Sequence, residues 1–215
     1  GDYAVAYAQT GDLFATPRYL QGSWGDDTML GRAGDDTIEG GYGNDTLKGG
    51  AGDDTYVYNL WDGNDAIDDV SSPIDPNTLL FGYGITPDDI RLNHDPEPGH
   101  LLLNIITTGE TIRINHFLAS DPYGPHAVEY FKFDDGTVLT WSQMIDKGFD
   151  ICGSGADDIL QGTATTDRIC GLEGDDTINA SRGNDYLTGG AGNDLYQYAA
   201  GDGTDTIDDL SDNNE

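Results

Sequence analysis

Over two stretches of the chain an apolar residue returns every nine residues, each time two places after an aspartate and in most cases four after a glycine. The first stretch reads GSWGDDTML from Gly22, GRAGDDTIE from Gly31, GGYGNDTLK from Gly40 and GGAGDDTYV from Gly49. The second reads GSGADDILQ from Gly153, GTATTDRIC from Gly162, GLEGDDTIN from Gly171, ASRGNDYLT from Ala180 and GGAGNDLYQ from Gly189. Numbered from one to nine, position 6 is always Asp and position 8 is Met, Ile, Leu or Tyr. Glycines early in the unit permit a tight turn, and the last three residues alternate as a short strand with position 8 on one face. Two units make one coil of a flat right-handed solenoid whose position 8 side chains meet in the middle. One coil cannot bury so thin a core, so coils must stack, and turns eighteen residues apart come to ~4.8 Å.

A shift of 140 residues lays DGNDAIDDVS from Asp62 over DGTDTIDDLS from Asp202, and it makes residues 13–21 a decayed first repeat. Between the blocks the pattern changes. Leu101 to Ile106 predicts a strand buried on both faces, and Ile112 to Asn115 a half-exposed partner across a turn at Thr107 to Glu110. Phe131 to Phe133 and Val138-Leu139 flank Asp134-Asp135-Gly136 as a second hairpin. Thr140 with Gln143 forms a capping box for a short helix that Gly148 can end. The expected fold is all-β: two parallel β-roll blocks joined by a β-rich capping segment with one short helix. The expected organisation is a helical end of a preceding cap over residues 1–12, a first block over 13–73, the capping segment over 74–148 and a second block over 149–215. Starting at Gly1 and stopping in an acidic run, the chain is expected to belong to a longer protein.

Charge narrows the partners. A formal net charge of −31 with nine Lys plus Arg leaves no basic patch for nucleic acid or anionic membrane, and no stretch has the apolar length of a membrane span. Cations are the natural counterpart, because packed carboxylates otherwise repel one another. Stacked turns offer two aspartates and several carbonyl oxygens. That donor set suits calcium, which takes six to eight oxygen ligands flexibly; magnesium demands a tighter octahedron, and zinc wants the His or Cys that the turns lack.

GGYGNDTLK and GGAGDDTYV resemble the RTX (repeats-in-toxin) nonapeptide of type I-secreted, haemolysin-like bacterial proteins. LLFGYGITPDDIRL, TIRINHF and EYFKFDDGTVLTW resemble the haemolysin-type calcium-binding related segment that flanks such blocks. The resemblance implies that each ion takes the position 2 and 4 carbonyls and Asp of one turn, with the position 1 and 3 carbonyls and Asp of the second turn along. In the first block Ser23, Gly25 and Asp27 then pair with Gly40, Tyr42 and Asp45, and Arg32, Gly34 and Asp36 with Gly49, Ala51 and Asp54. Gly41, Gly43 and Asp45 reach Asp62 and Asp65, with Gly50 and Gly52 as further carbonyl donors. In the second block Ser154, Ala156 and Asp158 pair with Gly171, Glu173 and Asp176, and Thr163, Thr165 and Asp167 with Ala180, Arg182 and Asp185. Leu172, Gly174 and Asp176 pair with Gly189, Ala191 and Asp194, and Ser181, Gly183 and Asp185 with Asp202 and Asp205. This makes about seven ions. Ala156, Thr163 and Thr165 stand where the pattern prefers Gly, so strained turns costing about 1 kcal/mol or more each are expected to weaken the sites there. The resemblance further implies a secreted, extracellular module that passes a type I secretion channel unfolded and folds on calcium outside.

No catalytic constellation is present: the histidines lack zinc spacing, and Ser154 lacks a GxSxG frame. Position 7 threonines read as ordinary solvent-facing strand residues. A rival reading is an adhesin-type recognition module in which Trp24, Tyr42 and Trp61 contact glycan or a host protein. A lesser one is calcium-triggered cleavage at Asp75-Pro76, Asp95-Pro96 or Asp121-Pro122. Cys152 and Cys170, one coil apart, should be neighbours on the outer sheet face with Cα atoms that could fall within disulfide range; in-register parallel neighbours are awkward for a disulfide, so free thiols are the favoured of the two states.

Overall fold

The alternation at positions 7 to 9 becomes parallel strands stacked one coil apart. The structure is a computed structural model, and it describes residues 5–7, 16–69, 74–94, 99–124 and 126–209. The chain divides into two compact units, residues 1–91, 95–117 and 123–144 in one and 92–94, 118–122 and 145–215 in the other.

In the first unit, Val5–Tyr7, Thr28–Ala33, Thr46–Ala51 and Asp65–Ile67 pair in parallel along one sheet. Tyr19–Gln21, Thr37–Glu39, Thr55–Tyr58 and Thr78–Phe81 pair likewise along the other. The register is one coil: Met29 faces Leu47, and Ile38 faces Tyr56. Met29, Ile38, Leu47, Tyr56, Ile67 and Leu79 are all at most 2% exposed and form the thin core. Threonines 28 and 46, and 37 and 55, lie side by side in register as position 7 pairs.

The intervening segment continues both sheets. Glu110–Asn115 adds to Asp65–Ile67 in parallel and turns back antiparallel to His100–Ile105. Tyr130–Lys132 adds to Thr78–Phe81 and carries the hairpin partner Val138–Thr140. The helix Trp141–Ile145 follows, with Thr140 N donating to Gln143 Oε1 at 2.9 Å and Gly148 ending it at φ +79°. One expectation fails here. Leu101, Leu103 and Ile105 are fully buried but Ile106 is 54% exposed, so this strand buries one face rather than two. Its period of two puts Leu102 and Asn104 on the outer side of the hairpin, where both are half-buried.

In the second unit, Phe149–Cys152, Asp167–Glu173, Tyr186–Ala191 and Thr206–Ile207 stack in parallel, as do Ile159–Gln161, Thr177–Asn179 and Leu195–Gln197. Here the free-thiol expectation is overturned. Cys152 and Cys170 face each other in register with Cα atoms 4.6 Å apart and form a disulfide. That separation lies within the range a disulfide spans, and the two side chains share one sheet face. At the other end of the chain the helix expected over 1–12 is absent from Val5–Tyr7, which are strand, and the rest of that segment lies outside the described residues.

Candidate metal centre

Stacking at one coil brings the position 6 aspartates into ladders. Each carboxylate Oδ1 accepts the main-chain N–H of the aspartate one coil earlier: Asp27 to Asp45 at 2.8 Å, Asp36 to Asp54 at 2.8 Å and Asp45 to Asp65 at 3.0 Å. The second unit repeats this with Asp158 to Asp176 and Asp167 to Asp185 at 2.8 Å, Asp176 to Asp194 at 2.9 Å and Asp185 to Asp205 at 3.1 Å. All seven carboxylate pairs expected from the sequence are therefore neighbours.

The second oxygen divides the turns into two kinds. In Asp36, Asp45, Asp54, Asp176, Asp185 and Asp194, Oδ2 is buried without a hydrogen-bond partner. In Asp27, Asp158 and Asp167 it accepts the position 2 N–H of its own turn, from Ser23, Ser154 and Thr163, at 2.6 Å each. Peptide orientation separates them. Position 2 has positive φ in all six open turns, at Arg32 (89°), Gly41 (89°), Gly50 (110°), Leu172 (86°), Ser181 (68°) and Gly190 (107°). None of Ser23, Ser154 and Thr163 does. Strain thus falls on Arg32, Leu172 and Ser181, not on Ala156, Thr163 and Thr165 as expected. Thr163 and Thr165 are buried and use hydroxyl bonding instead: Thr163 Oγ1 donates to Asp167 Oδ1 at 2.9 Å, and Thr165 N donates to Thr163 Oγ1 at 3.2 Å.

Buried carboxylate oxygens without partners are costly unless a cation faces them. Burial is the largest influence on Asp36, Asp45, Asp54, Asp65, Asp167 and Asp185. It pushes the carboxyl of Asp45 up to about 6, that of Asp54 to about 7 and that of Asp65 to about 8, despite a main-chain hydrogen bond to each. Asp167 rises to about 7 and Asp185 to about 6 for the same reason. Asp36 is also raised by burial, an effect opposed by the Arg18 main-chain N–H bonded to it and by the charge of Arg18, whose Nη1 donates to the Gly31 carbonyl at 2.8 Å.

The donor set is all oxygen. Among the described residues no three His, Cys, Asp or Glu side chains are placed to hold an ion together, so two carboxylates from adjacent coils would be completed by turn carbonyls. Some of those carbonyls already accept one main-chain bond, as Ala51 from Gly34 and Asp62 from Gly43 at 2.7 Å, and Ala191 from Gly174 at 2.9 Å. A carbonyl keeps a second lone pair. Asp62 and Asp202 each direct one oxygen to their own irregular turn, at Asn59 N (2.7 Å) and Ala199 N (2.6 Å). Flexible, oxygen-only coordination with paired buried charge fits calcium.

Two family models match the chain. One is the RTX calcium-binding nonapeptide repeat, found four times at residues 21–56, 153–179, 161–196 and 171–207; the other is the haemolysin-type calcium binding protein related domain, at 100–143. The chain is an RTX-repeat protein. RTX repeats bind calcium and form a β-roll, and both matched families are non-catalytic modules. Among solved structures, the extracellular lipase LipA from Serratia marcescens is similar at 15% identity over 97% of this chain, with a TM-score of 0.24. The chain spans 35% of that lipase, a likeness too slight to carry an argument. No curated protein matches the chain. No helix among the described residues is long and apolar enough to cross a membrane.

The RTX period misses several residues that adjoin the ladders. Asn77 takes the place of an aspartate one rung beyond Asp54, accepting Asp54 N at 2.9 Å, but it stands 23 residues on rather than 18. Asp69 and Asp209 receive N–H groups from Gly50 and Gly190. The duplication that aligns DGNDAIDDVS with DGTDTIDDLS was the available signal for these two.

Proposed function

We propose that the chain is a calcium-dependent folding module of a larger secreted bacterial protein. It stays unfolded at cytosolic calcium and folds when calcium fills the paired turns outside the cell. The observation that carries this reading is the set of six buried aspartate oxygens without partners. With 40 Asp plus Glu against nine Lys plus Arg, the chain has too few cations of its own to answer them. Calcium at the ~10⁻⁴ to 10⁻³ M typical of extracellular modules would supply the missing charge, and its binding free energy becomes folding free energy. Seven carboxylate pairs give about seven ions. Within each site the aspartates bind, the position 2 peptide sets which oxygen faces the ion, and position 8 residues exclude water beneath.

An unfolded, highly charged chain suits passage through a type I secretion channel, and folding beyond it would discourage return. Circular dichroism during a calcium titration tests the reading. Weak β signal in EDTA that rises cooperatively with calcium is expected; full β structure in excess EDTA, unchanged by calcium, overturns it. A second reading draws on Trp24, 86% exposed, whose ring lies 5.3 Å from that of Tyr42 at the edge of adjacent turns. Such a pair could contact glycan or a host protein, and glycan arrays with and without calcium distinguish recognition from folding alone.

A further inference from the structure

Tyrosine stands at position 8 only in the last regular unit of each block, as Tyr56 and Tyr196, and an aspartate follows thirteen residues later in both, Asp69 and Asp209. The same contacts form twice. Gly49 N donates to the Tyr56 hydroxyl at 2.8 Å, and Gly189 N to that of Tyr196 at 2.6 Å. The Tyr56 hydroxyl bonds in turn to Asp69, and the Tyr196 hydroxyl lies beside Asp209. Gly50 N lies 3.2 Å from Asp69 Oδ2, and Gly190 N lies 3.2 Å from Asp209 Oδ1. In earlier units the position 1 N–H instead meets a main-chain carbonyl of the next coil, as Gly22 to Glu39, Gly153 to Cys170 and Gly162 to Asn179, all at 2.8 Å. At the end of each block, side chains take over that role.

The position 2 N–H is the group that separates open turns from closed ones. In Ser23, Ser154 and Thr163 it folds back onto its own aspartate. In Gly50 and Gly190 an outside carboxylate holds it, and Asp54 Oδ2 and Asp194 Oδ2 are left bare. Asp69 is 1% exposed, a costly place for a carboxylate unless its donors are needed there.

We propose that Tyr56 with Asp69, and Tyr196 with Asp209, are positioning residues that hold the last regular turn of each block in its ion-accepting form. Without the bracket the Gly50 or Gly190 N–H is released to close on Asp54 or Asp194. Closing of the irregular coil that carries Asp69 or Asp209 is thereby coupled to the ion at the turn before it. The proposal rests on the calcium reading and specifies which residues make its terminal sites competent.

Calorimetric calcium titration of the whole chain tests it. Tyr196→Phe and Asp209→Ala are each expected to weaken one ion site by up to about tenfold while leaving the others unchanged, the loss of one part-buried hydrogen bond being worth at most about that factor. Asp209→Asn keeps an acceptor oxygen and is expected to bind within about twofold of wild type. Wild-type affinity in both Tyr196→Phe and Asp209→Ala overturns the bracket. So does an Asp209→Asn variant as weak as Asp209→Ala, since charge alone would then explain the effect. Tyr196 and Asp209 are half-buried, so their replacement is expected to leave the second block folded, and Tyr56→Phe checks the buried copy. Failure of the wild type itself to bind calcium would sink the functional reading, a result distinct from either of these.

Discussion

Replacing Asp45 by Asn should have opposite effects with and without calcium. Asp45 is 1% exposed, accepts Asp27 N through Oδ1 at 2.8 Å, and keeps Oδ2 without a partner. Burial first, and then the charges of Asp27, Asp26 and Asp62, push its carboxyl from 3.8 to about 6. A shift of about two units corresponds to about 3 kcal/mol, which water at the turn edge reduces to about 2 kcal/mol. The sign follows from linkage. A carboxyl raised in the folded state favours folding fully below pH 3.8, and that contribution is lost as pH rises through about 6. Asn keeps the oxygen that accepts Asp27 N and carries no charge, so it escapes this loss. In EDTA the variant should hold its β structure to higher pH than wild type, with no difference below about pH 4. In calcium the order reverses, because Asp45 is shared by the pairs with Asp27 and Asp65, and both sites lose a charged ligand. The assay is far-ultraviolet circular dichroism against pH in EDTA, then against calcium at pH 7. A variant that unfolds earlier than wild type in EDTA, or that keeps the wild-type calcium midpoint, refutes the account.

Wild type in EDTA should gain β structure on acidification from pH 8 to 4, since Asp54, Asp65 and Asp167 have carboxyls raised to about 7, 8 and 7. Calcium binding at pH 7 should correspondingly release protons, which calorimetry in buffers of different ionisation enthalpy detects. Reducing the Cys152–Cys170 disulfide, which closes a separation of 18 residues, should destabilise the second block by about 3 kcal/mol and raise its calcium midpoint; urea melts with and without reductant measure it. Replacing Thr163 and Thr165 together by Gly removes the hydroxyl that occupies Asp167, and should tighten an ion at the Asp167–Asp185 pair in calorimetry. Gly63→Ala should abolish calcium-induced folding of the first block, because φ is +112° and the added Cβ would sit 1.8 Å from the Gly43 oxygen. Gly109→Ala, at φ +79° in open space, should cost only about 1 kcal/mol in a urea melt.

The nine-residue period made the ladders legible because it fixes both the face of each side chain and the coil spacing. Every expected carboxylate pair then follows from counting eighteen residues, or twenty where the irregular units intervene. Asn77 escaped because the chain reaches its rung by a path of another length, and the disulfide because sequence gives the register of two cysteines but not the tilt of their side chains. The state of each turn escaped for a deeper reason. Residue type does not sort open turns from closed ones: Ser181 is open with φ +68°, while Ser23 and Ser154 are closed, and Arg32 and Leu172 behave as Gly41 does. What the six open turns share is a carboxylate Oδ1 already bonded to an N–H of the coil before, from Arg18 for Asp36 and from an aspartate for the rest. Asp158 and Asp167, at the start of the second block, bond instead within their own turns. Readiness for an ion therefore belongs to two adjacent coils and not to one nonapeptide, as nearest-neighbour stability in a solenoid requires. Each coil's main-chain N–H holds Oδ1 of the next aspartate, and at the last regular turn of each block Asp69 and Asp209 hold in addition, from the coil beyond, the position 2 N–H that the closed turns direct to their own aspartate.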